Sequence, residues 1–212
     1  MIYCDCLVEK EKIIMKKFEL TTDSIRENGT TLYRIKSLID FGDVKAGDLG
    51  GYVEKEENLS QLGNAWVYDN ARVYDNACVC GDACVYGNAC VYGDAWVYDN
   101  ARVSNYACVS DDARVYGNAW VSDDACVYGN ARVYDDARVY GNADYICLRG
   151  FGSQNRNTTM FKENSGNICV SCGCFSGTLQ EFESKVKETH GNNKFAREYL
   201  ALIEAAKIHF EV

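Results

Sequence analysis

No apolar run in the 212 residues approaches the roughly 18 to 20 needed to cross a bilayer as a helix, which excludes a single-pass or multi-pass helical membrane protein. The N-terminus lacks the charged start, apolar middle and small-residue cleavage site of a secretory signal, so the expected compartment is the cytoplasm of a bacterial cell. Histidine is scarce: His190 and His209 are the only two, and the long stretch before them has no side chain that titrates near neutrality by default. Cysteine, by contrast, is plentiful at 12 residues, yet seven (Cys78, Cys80, Cys84, Cys90, Cys108, Cys126, Cys147) lie in or just after a region where equivalent positions carry Trp, Arg or Tyr. A disulfide framework does not exchange its members so freely, and reduced thiols are expected.

What the chain has is repetition. Residues 63–146 read GNAWVY, DNARVY, DNACVC, GDACVY, GNACVY, GDAWVY, DNARVS, NYACVS, DDARVY, GNAWVS, DDACVY, GNARVY, DDARVY, GNADYI, a hexapeptide repeated 14 times without insertion. A unit too short to bury its own apolar side must stack on its neighbours. Position three is Ala in every unit, from Ala65 to Ala143, and position five is Val in all but the last, from Val67 to Val139. Residues two apart on a strand share a face, so Ala and Val point inward and position four points out. Position one is Gly, Asp or Asn throughout, suiting a corner that needs a left-handed backbone.

These hexads resemble the family of hexapeptide-repeat left-handed parallel β-helices, whose coils hold three short strands and 18 residues; the handedness is what the resemblance implies. On that geometry 84 residues make about 4.7 coils, a prism roughly 22 Å tall at strand spacings of ~4.8 Å. The outward residues then sort into three columns: Trp66, Cys84, Arg102, Trp120 and Arg138; Arg72, Cys90, Cys108, Cys126 and Asp144; Cys78, Trp96, Arg114 and Arg132. Trp and Arg are enriched at binding hot spots, so Trp66, Arg102, Trp120 and Arg138 form a candidate face for a protein partner, against which stands simple Arg-over-Trp stacking on an exposed wall. A single file of Cys90, Cys108 and Cys126 cannot wrap an ion and reads as small, half-buried β residues. The corner tyrosines, Tyr68 to Tyr140, read as stacks that join successive coils.

The flanks differ. Residues 1–16, MIYCDCLVEKEKIIMK, precede an ordinary bacterial start at MKKFEL, and Lys10-Glu11-Lys12 is what a purine-rich ribosome-binding site would encode; a non-native or disordered extension is expected there, and Cys4 and Cys6 carry little weight as a metal pair. Residues 17–62 hold alternating apolar and polar residues around Asn28-Gly29, a hairpin signal, followed by a glycine-punctuated segment in which Val53 and Leu59 join the hexad phase, together an N-terminal β-hairpin cap. Residues 147–212 form an α/β tail: a small β segment turning at Glu163 to Gly166, then two helices. Thr178 and Glu181 frame a capping box, with Leu179, Phe182 and Val186 on one face; Phe195, Tyr199, Leu202, Ile203, Ala206 and Phe210 mark a second amphipathic helix. The helices are expected to pack on the cap or on the open end of the solenoid, or equally to form an oligomer contact.

Net charge is −9, and the repeat carries most of it, with 12 Asp against 5 Arg; residues 147–212 hold 8 basic and 7 acidic residues. Such a surface argues against nucleic acid and anionic membranes and favours basic partners. The tail offers the most ligand-like loop: Gly150, Gly152, Ser153, Arg156, Thr158 and Thr159 combine glycine amides, hydroxyls and a guanidinium suited to an anion, against the plainer reading of a hairpin with polar turns. Cys169, Cys172 and Cys174 have a metal-like spacing that only His190 could complete, and the plainer reading is no metal.

The segment DFGDVKAGDLGGYVEKEENLSQLGNAWVYDNARVY resembles bacterial and phage proteins described as hexapeptide-repeat transferases, and CGCFSGTLQEFESKVKETHG resembles a tail found in phage-encoded ones. The resemblance implies an acyl-CoA-dependent transferase working as a trimer, with a catalytic histidine beside the β-helix. Residues 63–146 hold no histidine and no inserted loop, which leaves His190 as candidate base. The expectation is a phage- or mobile-element-encoded, homo-oligomeric binding protein without cofactor, acting on a host protein or sequestering a small anionic ligand. The alternatives are the acyltransferase and a self-associating scaffold.

Overall fold

The computed structural model describes residues 16–141, 144–154, 156–163 and 165–212. The extension expected over residues 1–16 therefore lies outside the described residues except for Lys16, as does Ala143 of the last hexad; Lys16 is in an ion pair with Glu56 at 2.7 Å.

The chain is mainly β. A hairpin of β1 (Phe18–Glu27) and β2 (Thr30–Ser37) turns at Asn28 and Gly29, both at positive φ, the conformation a two-residue hairpin loop of this sequence requires. β3 (Leu49–Val53) pairs antiparallel with β2 and parallel with the first strand of the repeat on that face, Tyr52 opposite Arg72 and Val53 opposite Val73. Leu59 bridges to Val79 in the same sense. The N-terminal segment is thus the first coil as well as a lid.

Each hexad from Trp66–Val67 to Arg138–Val139 supplies a strand of two residues, β4 to β16 in order. They stack in register every 18 residues into three parallel ladders, with Trp120 between Arg102 and Arg138, Cys108 between Cys90 and Cys126, and Arg114 between Trp96 and Arg132. The result is a β-solenoid of about five turns. Its interior is the Ala and Val of positions three and five, fully buried along the whole axis.

The corners explain the hexad's first two letters. Position one has positive φ in 13 consecutive units, from Gly63 to Asp135. Asp carboxylates there accept the amide of the glycine one coil on, as Asp75 does from Gly93 at 3.2 Å and Asp111 from Gly129 at 2.9 Å. At position two, Asn amides donate to Asp carboxylates in the adjacent coil, Asn64 to Asp82 and Asn118 to Asp136. Many of the repeat's carboxylates are therefore spent on coil-to-coil hydrogen bonds, and like charges seldom stand directly opposite.

Every ladder amide points toward the following coil, as in Trp66 N to Ala83 O and Arg102 N to Ala119 O. The N-terminal end of the solenoid is consequently left with carbonyls and the C-terminal end with amides. Lys17, buried at 1% exposure, donates its Nζ to Ala65 O at 2.9 Å and closes the first end.

The other end is closed by a four-stranded antiparallel sheet of β17 (Tyr145–Phe151), β18 (Arg156–Lys162), β19 (Ile168–Cys172) and β20 (Phe175–Thr178). β17 begins on the hexad phase, with buried Tyr145 where earlier units have Val. One face of this sheet, through Phe161 and Cys169, joins the solenoid core. Its other face, through Met160, Val170 and Cys172, packs on α1 (Leu179–His190) and α2 (Lys194–Phe210). The helices pack neither on the N-terminal cap nor directly on the open end of the solenoid; they sit on the far side of the sheet, because residues of alternating side along β18 and β19 give it two apolar faces. No helix among the described residues is long and apolar enough to cross a membrane.

Candidate functional site

The Trp/Arg ladder does not form the open surface that the sequence suggests. Trp66 is 1% exposed, enclosed by Phe18 and Phe41 of the N-terminal segment at ring-centroid distances of 6.2 and 5.3 Å. Position four of the first full coil points outward from the solenoid but inward to its lid. Arg138 lies over Trp120, 6.0 Å from the ring centroid, and its Nη1 donates to the carbonyls of Asn118, Asp136 and Ala137. Trp120 in turn donates its indole N–H to Ser104 Oγ at 3.1 Å. Arg102 remains exposed; the rest of the face is internally satisfied.

The metal reading does not assemble either. Cys169 and Cys172 are three apart on one strand, so they face opposite sides of the sheet. Cys169 Sγ, on the solenoid side, donates to Glu163 at 2.8 Å. Burial, with Glu163 next, pushes its thiol up to about 12. Cys172, on the helix side, meets the Tyr199 hydroxyl at 3.7 Å. Among the described residues no group of three or more His, Cys, Asp and Glu side chains is arranged to hold an ion.

The loop from Gly150 to Thr159 is used, but differently from expectation. Gly152 donates its amide to Glu198 at 3.0 Å, and a Cβ there would fall 2.0 Å from the Tyr199 oxygen, so the loop lies on α2 and offers no amide cradle. Gly150 is an exposed residue at φ +82°, in a bulge between β17 and β18. Thr158 is fully buried on the helix side, its hydroxyl on Cys172 Sγ at 3.3 Å. Arg156, Thr159 and Ser153 do line cavities.

Two cavities occupy the end of the C-terminal sheet. The first, about 560 Å³, lies between the last coil and the sheet and is lined by Arg132, Arg149, Arg156, Asn130, Asn157 and Thr159, with Gln154, Ser171 and Gly173 completing it. Arg132 closes its ladder, and its backbone amide, left without a following coil, donates to Thr159 Oγ1 at 3.4 Å. Arg149 donates Nε to Asn157 Oδ1 at 3.2 Å and Nη2 to Asn130 Oδ1. No ion pair joins these three guanidiniums to a carboxylate among the described residues, whereas Arg34 and Arg72 at the opposite end are paired with Asp23 and Glu27. Three guanidiniums line one cavity at the end of the solenoid where its amides emerge, donors of the kind suited to a planar anion.

The second cavity, about 440 Å³, lies on the helix side and is walled by Phe175, Phe182, Tyr199, Val186 and His190, with Cys172, Cys174, Lys185 and Thr189 among its polar edges. His190 stacks on Tyr199, ring centroids 5.9 Å apart. Burial, then the neighbouring Cys172 thiol, raise the Tyr199 phenol while Arg156 opposes them. The sequence signals for this end are the loop that carries Ser153, Arg156 and Thr159 and the tail's basic balance in an acidic chain; Arg132 and Arg149, far apart in repeat and tail, give no sign of lining the same cavity.

Residues 65–81, 107–123 and 125–141 match the family model of the YdcK Beta solenoid repeat. A similar protein is one from Escherichia coli (strain K12) named Uncharacterized acetyltransferase YdcK, 40% identical over 63 residues, covering 26% of this chain and 19% of the relative. The chain thus aligns with about a fifth of that relative's length. Its solenoid fits the hexapeptide-repeat, transferase-like family that the sequence resembles.

Proposed function

We propose that the protein is a non-enzymatic β-solenoid binding protein whose C-terminal unit takes up a small anionic ligand. The carrying observation is that Arg132, Arg149 and Arg156 line one cavity, with no carboxylate in an ion pair with them among the described residues. The solenoid serves as the rigid support: it supplies Arg132 and a fixed floor beneath the sheet. The self-satisfied Trp120 and Arg138 face favours this small-ligand reading over a protein partner. The likeness of the tail to phage-encoded segments supports sequestration of a host metabolite as the setting. Native mass spectrometry of protein purified without added ligand tests it. A small anion retained at one per site by the wild type, and lost from an Arg132→Gln/Arg156→Gln variant, is expected; a wild type without any bound anion after exposure to a cell extract would count against it.

An acyl transferase is the second reading, favoured by the name of the similar protein. Its candidate base is His190, which borders the second cavity with Cys174 and Tyr199. Acetyl-coenzyme A turnover with amine and hydroxyl acceptors, abolished in His190→Ala, would establish it in place of the binding reading.

A further inference from the structure

The two cavities are neighbours rather than separate features. Gln154 and Arg156 line both, at the tip where β17 turns into β18. The Arg156 side chain lies across Gly173 in the opposite turn, where an added Cβ would stand 2.4 Å from its Nη1 and 2.7 Å from its Cδ. Glycine there leaves room for a guanidinium on the boundary between a cationic cavity and an aromatic one. A free inorganic anion would satisfy the first cavity and leave the second unused. An aliphatic anion would meet Phe175, Phe182, Tyr199 and His190 with no use for their ring faces.

Resting on the binding reading above, we infer that the ligand is a phosphate ester of a flat ring system, the nucleotide class, with its phosphate among Arg132, Arg149 and Arg156 and its ring against Phe175. Phosphate matches the planar, forked donors of Arg better than it does a lone ammonium. A base gains affinity by stacking on an aromatic wall. The two volumes, about 560 and 440 Å³, each suit part of such a molecule and fall in the range of small-ligand sites.

Isothermal titration calorimetry with adenosine monophosphate, uridine monophosphate, pyrophosphate and adenosine tests this on the full chain. At least one nucleotide is expected to bind tenfold or more tighter than either pyrophosphate or adenosine. Phe175→Ala should weaken the nucleotide about five- to tenfold and leave pyrophosphate unchanged, while Arg149→Gln should weaken both. An independent readout needs no variant: the nucleotide, but not pyrophosphate, should slow alkylation of Cys174, which is exposed at the rim of the aromatic cavity. Nucleotides binding no tighter than pyrophosphate, or failing to protect Cys174, would overturn the ligand class and leave the anion site standing. If no phosphate compound binds at all, the binding reading fails with it.

Discussion

Ser176 Oγ donates a 2.7 Å hydrogen bond to the Tyr134 hydroxyl, which itself donates to Val170 O at 3.3 Å. Tyr134 is the last of a stacked corner column, with Tyr116 at 5.2 Å and 16° on one side and Phe161 of the C-terminal sheet edge-on at 5.0 Å on the other. One side chain thus belongs to both the solenoid and its closing sheet. Tyr134→Phe should lower stability by about 1 kcal/mol, the worth of a net hydrogen bond, and Tyr134→Ala by about 3–5 kcal/mol for a large aromatic lost from a core. Urea unfolding followed by far-ultraviolet circular dichroism measures both. A Tyr134→Ala protein as stable as the wild type would show that the sheet does not depend on this joint.

The corners make a sharper prediction, because two glycines separate conformation from contact. Gly117 and Gly129 both have left-handed φ, +70° and +67°, but an added Cβ would meet Asp135 N at 2.7 Å at the first and nothing within 4 Å at the second. Gly129→Ala should cost only the left-handed penalty of about 1–2 kcal/mol. Gly117→Ala should cost more by the strain of forcing two coils apart. Equal losses in parallel melts would mean that coil spacing at the corners is soft.

Alkaline pH should unfold the protein over a defined window. Burial is the leading cause that raises the phenols of Tyr68, Tyr74, Tyr98 and Tyr134 to about 12 from the ordinary 10.0. A folded pKa above the unfolded one means that their contribution is whole below pH 10 and is lost as pH rises toward 12. Tyrosinate absorbance at 295 nm should therefore lag that of free tyrosine and then rise together with loss of β signal. Free-tyrosine titration with the fold intact would contradict the buried stacks.

Cysteine reactivity should follow exposure and thiol ionisation. Burial raises the thiols of Cys84, Cys90, Cys108 and Cys147 above their usual value, whereas Cys174 is exposed. Brief treatment with iodoacetamide at neutral pH, read by peptide mass spectrometry, should label Cys174 first. Preferential labelling of the Cys90, Cys108 and Cys126 ladder would show that the solenoid wall opens more readily than its packing implies.

Much of the fold was legible because it is written locally. The Ala and Val alternation, the left-handed corner residues, Asn28-Gly29 and the Thr178 and Glu181 box each act within a few residues of themselves. The candidate site was legible only in part: Ser153, Arg156 and Thr159 of the ligand-like loop line its cavities, and the rest depends on relations between segments. Trp66 looks outward in its hexad, and only the lid formed by Phe18 and Phe41 buries it. Gly152 looked like an anion cradle, but α2 brings Glu198 and Tyr199 onto it. Arg132 and Arg149 stand in different elements, one ending a ladder and one on β17 of the sheet that closes the solenoid, and nothing in either stretch announces the other.

The proposed anion site is tested most directly by observing the arginine side chains themselves. In ¹H–¹⁵N spectra of the guanidinium Nε–Hε groups, titration with pyrophosphate should shift and sharpen the signals of Arg132, Arg149 and Arg156 together along one saturable curve, while Arg102, on the far ladder, stays fixed. Three unmoved signals, or shifts of Arg102 equal to theirs, would contradict the site.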